Sequence, residues 1–136
     1  MQNFITKLFQ KFILNKDIRK FKNNAIYYIF FRLVRKFLNS KIEVTIHNFK
    51  ILASNKKNIA SHALLRKCDF TDYPEKELIK VTCENNPIFL IDCGSNFGFY
   101  SLFVASLSKK NKIISLEASP KTFEDHKQNI YLNDFK

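Results

Sequence analysis

The feature that most constrains the fold is a short segment that contains both glycines of the chain. An unbroken apolar run at residues 88–91 is typical of a strand buried on both faces of a parallel sheet. It leads into Asp-Cys-Gly-Ser-Asn-Phe-Gly at residues 92–98, where glycine permits the positive φ and the close ligand approach of a strand-to-helix turn. A helix over residues 99–107 and a second apolar run at residues 113–116 complete a predicted β-loop-α-β unit with a right-handed crossover.

The ends of the two predicted strands indicate a nucleoside site. Ligands of such units bind beyond the carboxyl ends of the parallel strands. In this sequence those positions hold the glycine-containing turn and Glu117, which follows Asp92 by 25 residues. A carboxylate in that place can accept hydrogen bonds from both ribose hydroxyls of a nucleoside.

The spacing of the turn argues against two common nucleotide sites. A dinucleotide fingerprint that begins at Gly94 requires glycine where the chain has Asn96 and Phe99, so NAD is disfavoured. A P-loop is excluded because no Gly-Lys-Ser or Gly-Lys-Thr follows. The remaining pattern, D-x-G-x-N-x-G with a carboxylate at the strand tip, suits a ligand with a cationic amino acid end better than a pyrophosphate.

Two motifs carry a resemblance to a known family. Residues 89–101, Phe-Leu-Ile-Asp-Cys-Gly-Ser-Asn-Phe-Gly-Phe-Tyr-Ser, resemble the first motif of the FkbM family of S-adenosylmethionine-dependent methyltransferases. Glu-Ala-Ser-Pro at residues 117–120, followed by Asn129 and Asn133, resembles the family's glutamate-proline strand end and its helix with two spaced asparagines. Ala118 departs from the usual proline but leaves the carboxylate in place. The resemblance extends over about residues 42–134 and is strongest from residue 88 onward.

The resemblance implies an α/β fold that starts a Rossmann-like class I methyltransferase sheet. The residue patterns predict a β-hairpin and N-terminal amphipathic helices before its first two parallel strands. It implies S-adenosylmethionine as the cofactor and methyl transfer to an oxygen of a sugar or another hydroxylated small molecule. The residues implied to wrap the methionine end of the cofactor are Asp92, Gly94, Ser95, Asn96 and Gly98, and the residue implied to hold its ribose is Glu117.

Neither the sequence nor the resemblance identifies a catalytic base. Tyr100, Ser101 and His126 lie on predicted helices and are interpreted as packing or surface residues. Cys93 is interpreted as a small apolar filler rather than a nucleophile.

Proteins of this family continue for another four or five strands after the second motif, whereas the sequence ends at Lys136. We therefore expect residues 41–136 to be the N-terminal part of a methyltransferase domain, incomplete, poorly soluble and inactive on its own. The alternative is a non-catalytic remnant that still binds the cofactor.

The first 40 residues are predicted to form a separate, basic and helical segment. Residues 1–41 carry ten Lys or Arg and one acidic residue, a net charge of +9 out of the total of +11. Apolar residues recur at three- and four-residue steps over residues 4–14 and again from Phe21 to Leu38, which predicts two amphipathic helices. The longest uncharged apolar run has seven residues, against about 20 needed to span a bilayer.

Three interpretations of this segment remain open. Its helices can dock their apolar stripes on the domain, or lie at an anionic membrane surface, where each Lys or Arg contributes about 1 kcal/mol. Contact with nucleic acid is the third, and no nucleic-acid motif supports it. The chain is thus expected to be cytoplasmic, with peripheral membrane contact as a further expectation.

The middle of the chain predicts a hairpin followed by two short helices. Apolar residues alternate with polar ones over residues 42–46 and again over 49–53, with a turn at His47 and Asn48. Asn58 and Asp72 are predicted to cap the two helices.

Three cysteines, Cys68, Cys83 and Cys93, are widely spaced and have no histidine at metal-ligand spacing. A reduced chain without a metal site is expected, and no role is predicted for His62 or Cys83.

Overall fold

The computed structural model describes residues 4, 7, 8, 11, 15, 24–34, 36, 41–54, 59–67, 69 and 72–135, which form a mixed α/β structure with five helices and two small sheets. The elements in chain order are α1 (Ala25–Val34), β1 (Lys41–Ile46), β2 (Phe49–Ser54), α2 (Ile59–Lys67), α3 (Tyr73–Asn85), β3 (Phe89–Cys93), α4 (Phe99–Leu107), β4 (Lys112–Leu116) and α5 (Pro120–Leu132).

Contacts divide the chain into two compact units. Unit 1 comprises residues 1–44 and 53–71, and unit 2 comprises residues 45–52 and 72–136. The domain boundary predicted after residue 40 stays a prediction, since residues 37–40 lie outside the described part of the chain.

Each unit has its own apolar core. The buried apolar residues of unit 1 are Tyr27, Phe31, Ile42, Val44, Ala53, Leu64 and Leu65. Those of unit 2 are Ile46, Phe49, Ile51, Phe97, Leu102, Phe103 and Val104.

Strands β1 and β2 form the predicted hairpin. Ile42, Val44 and Ile46 are buried and alternate with exposed or half-buried residues, because successive side chains of a strand point to opposite faces. The turn lies at His47 and Asn48 as predicted, but the left-handed residue is His47, with φ of 49°, and not Asn48. The His47 ring packs 5.7 Å from the ring of Phe103, a contact that offsets part of the conformational cost of the turn.

Strands β3 and β4 are parallel, as predicted, and α4 connects them. The register pairs Phe89 with Lys112 and Cys93 with Leu116, so the two strands end at the same level. The residues that follow each strand are therefore brought to one edge of the sheet. The handedness of the crossover stays a prediction.

The expectation that β3 is buried on both faces is wrong for this chain. Phe89 and Ile91 are 61% and 56% exposed, and Leu116 on β4 is 53% exposed. Leu90 and Asp92, which point to the other face, are half-buried. An unbroken apolar run indicates that both faces suit apolar surroundings, and within the described residues only one face is covered.

The helices predicted near the N-terminus are found in part, because Asn24, inside the helix predicted from Phe21 to Leu38, is described and is not helical. The helix predicted to run through residues 21–38 is observed as α1, with residues 21–23, 35 and 37–38 outside the description. The helix predicted over residues 4–14 also lies mostly outside it, although Phe4, Lys7, Leu8 and Lys11 are helical and exposed. In the described ranges, no helix has both the length and the apolar character to cross a membrane.

Asp72 occupies the N-cap position of α3 but makes no side-chain cap. Its carboxylate accepts a hydrogen bond of 3.0 Å from the Tyr100 hydroxyl instead. The predicted position is confirmed, whereas the predicted capping bond is replaced by a contact with α4. Asn58, the other predicted cap, lies outside the described residues.

Candidate functional site

The candidate site is built on the turn between β3 and α4, residues 94–98, which we call the glycine turn. Gly94, Asn96 and Gly98 all have positive φ, of 78°, 53° and 90°. Left-handed backbone is open to glycine and tolerable for asparagine, so the residue types at these three positions follow from the conformation.

The backbone N–H groups of the glycine turn are already used within the protein. Those of Gly94 and Ser95 both donate to the carbonyl oxygen of Leu116, at 2.8 and 2.9 Å, and that of Gly98 donates to the carbonyl oxygen of Ser95 at 2.8 Å. The N–H of Phe97 donates to Oδ1 of Asn96 at 3.0 Å. Two of these bonds join the turn to the end of β4, and none of these four N–H groups is free to bind a phosphate.

The fifth amide of the turn brings in Glu117. The N–H of Asn96 donates to Oε2 of Glu117 at 2.8 Å, and the N–H of Ser119 donates to its Oε1, also at 2.8 Å. Each carboxylate oxygen can accept more than one hydrogen bond, so both retain acceptor capacity for a ligand. The structure thus places the predicted ribose ligand, Glu117, directly against the glycine turn.

Asp92 lies on the helix-covered side of the sheet. Its Oδ2 accepts a hydrogen bond of 2.5 Å from the hydroxyl of Ser101 on α4, which also lies 2.7 Å from the hydroxyl of Ser115 on β4. The interpretation of Ser101 as a packing residue is therefore incomplete, because its buried hydroxyl orients the carboxylate at the tip of β3.

The two glycines meet very different surroundings. A Cβ built on Gly94 has no atom within 4 Å, so the backbone at this position faces open space. A Cβ built on Gly98 would overlap the imidazole ring of His126. Gly94 leaves room for a ligand at the turn, whereas Gly98 leaves room for a side chain of the protein itself.

His126 is the main residue of the site that the sequence interpretation missed. It projects from α5, is 1% exposed, and its Nδ1 lies 3.0 Å from the hydroxyl of Ser95. Its Nε2 is buried and has no hydrogen-bond partner among the described residues. Burial lowers the pKa of His126 below its ordinary value, and the carboxylates of Asp92 and Glu117 offset part of that effect.

Two asparagines on the same side of α5 tie the hairpin to the site. Asn129 is fully buried, accepts from the N–H of Leu52 at 2.7 Å and donates to the carbonyl oxygen of Phe97 at 2.9 Å. One helical turn later, Asn133 accepts from the N–H of Lys50 at 2.6 Å and donates to its carbonyl oxygen at 2.7 Å. The spacing of His126, Asn129 and Asn133 at i, i+3 and i+7 is a polar stripe visible in the sequence, and it could have identified all three.

A cavity of about 340 Å³ lies beside this network, between α4, β4 and α5. Its polar lining comes from Ser101, Asn111, Lys112, Ser115 and His126, and its apolar lining includes Leu102 and Ile130. The cavity is open and mixed in character, and it borders the ring of His126 rather than the exposed side of Gly94.

The pKa values of two side chains, Tyr100 on α4 and Cys83 on α3, are raised. Burial and the neighbouring Asp72 raise the pKa of Tyr100 to about 12, so its hydroxyl stays protonated near neutral pH. Burial likewise raises the pKa of the Cys83 thiol. Within the described ranges, no group of three or more His, Cys, Asp or Glu side chains is arranged to hold a metal ion.

No protein-family model matches the chain, and neither the curated proteins nor the solved structures contain a match to it.

Proposed function

We propose that the chain carries the cofactor-binding part of an S-adenosylmethionine-dependent methyltransferase with a Rossmann-like sheet. The observation that supports this most directly is the meeting of the glycine turn with the carboxylate of Glu117 at one edge of a parallel strand pair. The resemblance of the two motifs to the FkbM family supports the same proposal from the sequence.

The polarity of the site favours a cationic ligand over an anionic one. Phosphate sites at strand-to-helix turns use free backbone N–H groups, and those of residues 94–98 are all engaged. Asp92 and Glu117 add two carboxylates that would repel a pyrophosphate. The sulfonium and ammonium groups of S-adenosylmethionine have the charge that such a site attracts.

The residues present fit this cofactor. Glu117 would accept hydrogen bonds from the ribose hydroxyls, and the open backbone at Gly94 would allow the methionine end to lie close to the turn. Asp92, Ser95, Asn96 and Gly98 would shape the wall of that pocket. The bound cofactor supplies an activated methyl group with its own leaving group, so the protein's main contribution is orientation. A hydroxylated small molecule such as a sugar is the proposed acceptor.

Calorimetric titration of the full 136-residue chain with S-adenosylmethionine, ATP and NAD tests this proposal. We expect saturable binding of S-adenosylmethionine alone. Replacing Glu117 by Ala should weaken it by about 1.5–3 kcal/mol, or about 10- to 150-fold, because a charged acceptor is lost.

Glu124→Ala is the matched control, since Glu124 is an exposed residue of α5 that pairs with Lys127. Thermal melting of both variants checks that they fold. Tighter binding of ATP or NAD, or an unchanged affinity of a folded Glu117→Ala variant, would contradict the proposal.

A second candidate function, attachment to a membrane surface, is favoured by α1. Ile26, Ile29 and Leu33 recur on one side of this helix and are 76%, 59% and 54% exposed. Arg32 and Lys36 are also exposed, and residues 1–41 carry a net charge of +9. Exposed apolar residues flanked by cations are the composition of interfacial helices.

Sedimentation with vesicles of phosphatidylserine and phosphatidylcholine tests this second candidate, with pure phosphatidylcholine vesicles as the neutral reference. Ile29→Asp should abolish binding to the anionic vesicles. Leu78→Asp should not, because Leu78 is 69% exposed on α3, away from the basic segment of the sequence. Equal sedimentation of both variants would exclude α1 as the contact.

A further inference from the structure

We propose that His126 is a positioning residue that holds the glycine turn in its ligand-binding shape, and that only its neutral imidazole can do so. The consequence for cofactor affinity rests on the proposed function, whereas the effect on the turn does not.

The geometry gives His126 two holds on the turn. Its Nδ1 lies 3.0 Å from the hydroxyl of Ser95, near the start of the turn, and its ring occupies the space beside Gly98, at the end. The ring comes from α5, which follows β4, while the turn precedes α4. His126 therefore contacts both Ser95 and Gly98 from α5, a helix outside the β-loop-α-β unit that contains the turn.

The protonated ring would not fit this place as well as the neutral one. The neutral tautomer that donates from Nδ1 to the Ser95 hydroxyl leaves Nε2 without a proton. Nε2 is buried and finds no acceptor in the described part of the chain, so a proton added there would bring both a charge and an unsatisfied donor. Charged groups that face the ring are Asp92 from β3 and Glu117 from the segment after β4. The cavity lining from α4, which is Ser101, Leu102 and Ala105, is uncharged, and β4 contributes the charged Lys112 to the cavity that the ring borders.

The net direction is set by burial, because the pKa of His126 is lowered from its ordinary value of 6.5 despite the two carboxylates. A histidine with a lowered pKa in the folded state gives a stabilisation that is complete above the unfolded value. That stabilisation is lost as the pH falls below 6.5, since the unfolded chain takes up the proton first. Mild acid should therefore loosen the turn.

Nuclear magnetic resonance on the full chain between pH 5 and 7.5 tests this inference. The imidazole signals give the titration of His126, and amide hydrogen exchange, corrected for its intrinsic pH dependence, gives the protection of residues 94–98. We expect that protection to fall about tenfold per pH unit as the pH drops from 6.5 to the titration midpoint of His126, and to level off below that midpoint. The amide of Val104 in α4 serves as the internal reference.

Variants separate positioning from packing. His126→Leu fills the space without a titrating group, so the turn should lose its acid response. Ser95→Ala removes one hold and should lower protection of the turn at every pH. His62→Leu is the control, since His62 lies on α2 in unit 1, and it should leave the acid response unchanged.

An acid response that persists in His126→Leu would overturn the inference. If that variant fails to fold, the unmodified chain decides, because a turn whose protection stays constant between pH 6.5 and the titration midpoint of His126 also overturns it. Titration with S-adenosylmethionine over the same pH range is read separately. Absence of binding at every pH removes the proposed function but leaves the positioning role intact, whereas pH-independent binding contradicts the inference.

Discussion

The hairpin and the parallel strand pair differ in how far their apolar side chains are buried. Along β1 and β2, the apolar side chains share one face and are buried, as Val44 and Ile51 at 0% exposure show. Along β3 and β4, apolar side chains lie on both faces, and Ile91 and Ile114 are 56% and 48% exposed. The alternating strands β1 and β2 need cover on one face only, and that face is buried. The unbroken apolar strands β3 and β4 need cover on both faces, and within the described residues only one face is covered.

Two isoleucine-to-alanine substitutions, one in each strand pair, should give the largest difference in the free energy of unfolding. Ile51→Ala in the hairpin should lower the free energy of unfolding by about 2–5 kcal/mol, because it leaves a cavity in a closed core. Ile91→Ala in β3 should lower it by less than about 1 kcal/mol, because half of that side chain is already in water. Urea unfolding at two protein concentrations measures both. Equal losses would show that the face of Ile91 is covered in solution, for example by a second copy.

Alanine substitutions at the two glycines should lower the free energy of unfolding by amounts that differ less than those for Ile51 and Ile91. Both have positive φ, so an alanine at either position carries about 1–2 kcal/mol of backbone strain. Gly98→Ala adds the overlap with His126, about 1–3 kcal/mol more, whereas Gly94→Ala meets open space.

Thermal melting of the two single variants and of Gly98→Ala combined with His126→Ala measures this overlap. The double variant should be more stable than the sum of its two single losses predicts. Additive losses would mean that the ring does not occupy the space beside Gly98.

Asn129→Ala should lower the free energy of unfolding by about 1 kcal/mol more than Asn133→Ala does, which is the smallest difference expected. Loss of the Asn129 side chain leaves the N–H of Leu52 and the carbonyl of Phe97 without partners in a buried place, at about 1–3 kcal/mol. Asn133 is half-buried, so water can replace part of what it provides. Denaturant unfolding of both variants measures the difference, and a larger loss for Asn133 would contradict this interpretation.

Local patterns predicted the elements around the site but not the contacts between them. The bounds of α4 and the parallel pairing follow from the glycines, the apolar runs and the helix over Pro120, all of which act over a few residues. The approach of Glu117 to the turn was predictable because the ends of parallel strands meet at one edge.

The contacts of His126 and Asp72 could not be predicted in the same way. The ring of His126 reaches residues about 30 positions earlier, and Asp72 exchanges a local cap for the hydroxyl of Tyr100, 28 positions later. A single sequence gives the periodicity of such residues but not which element they face. For the same reason it indicated that β3 suits two covering layers without indicating how many the chain provides.

The pairing of Asn129 and Asn133 with β2 also bears on association between chains. Four residues of a helix rise about 6 Å and two residues of a strand about 6.6 Å, so side chains at i and i+4 of α5 match the outward N–H groups of Lys50 and Leu52. Side-chain amides of α5 thus bind these two N–H groups in the way that a neighbouring strand would. Because these backbone groups of β2 are already bonded, two side chains of the protein itself disfavour the addition of a strand from another molecule at Lys50 and Leu52.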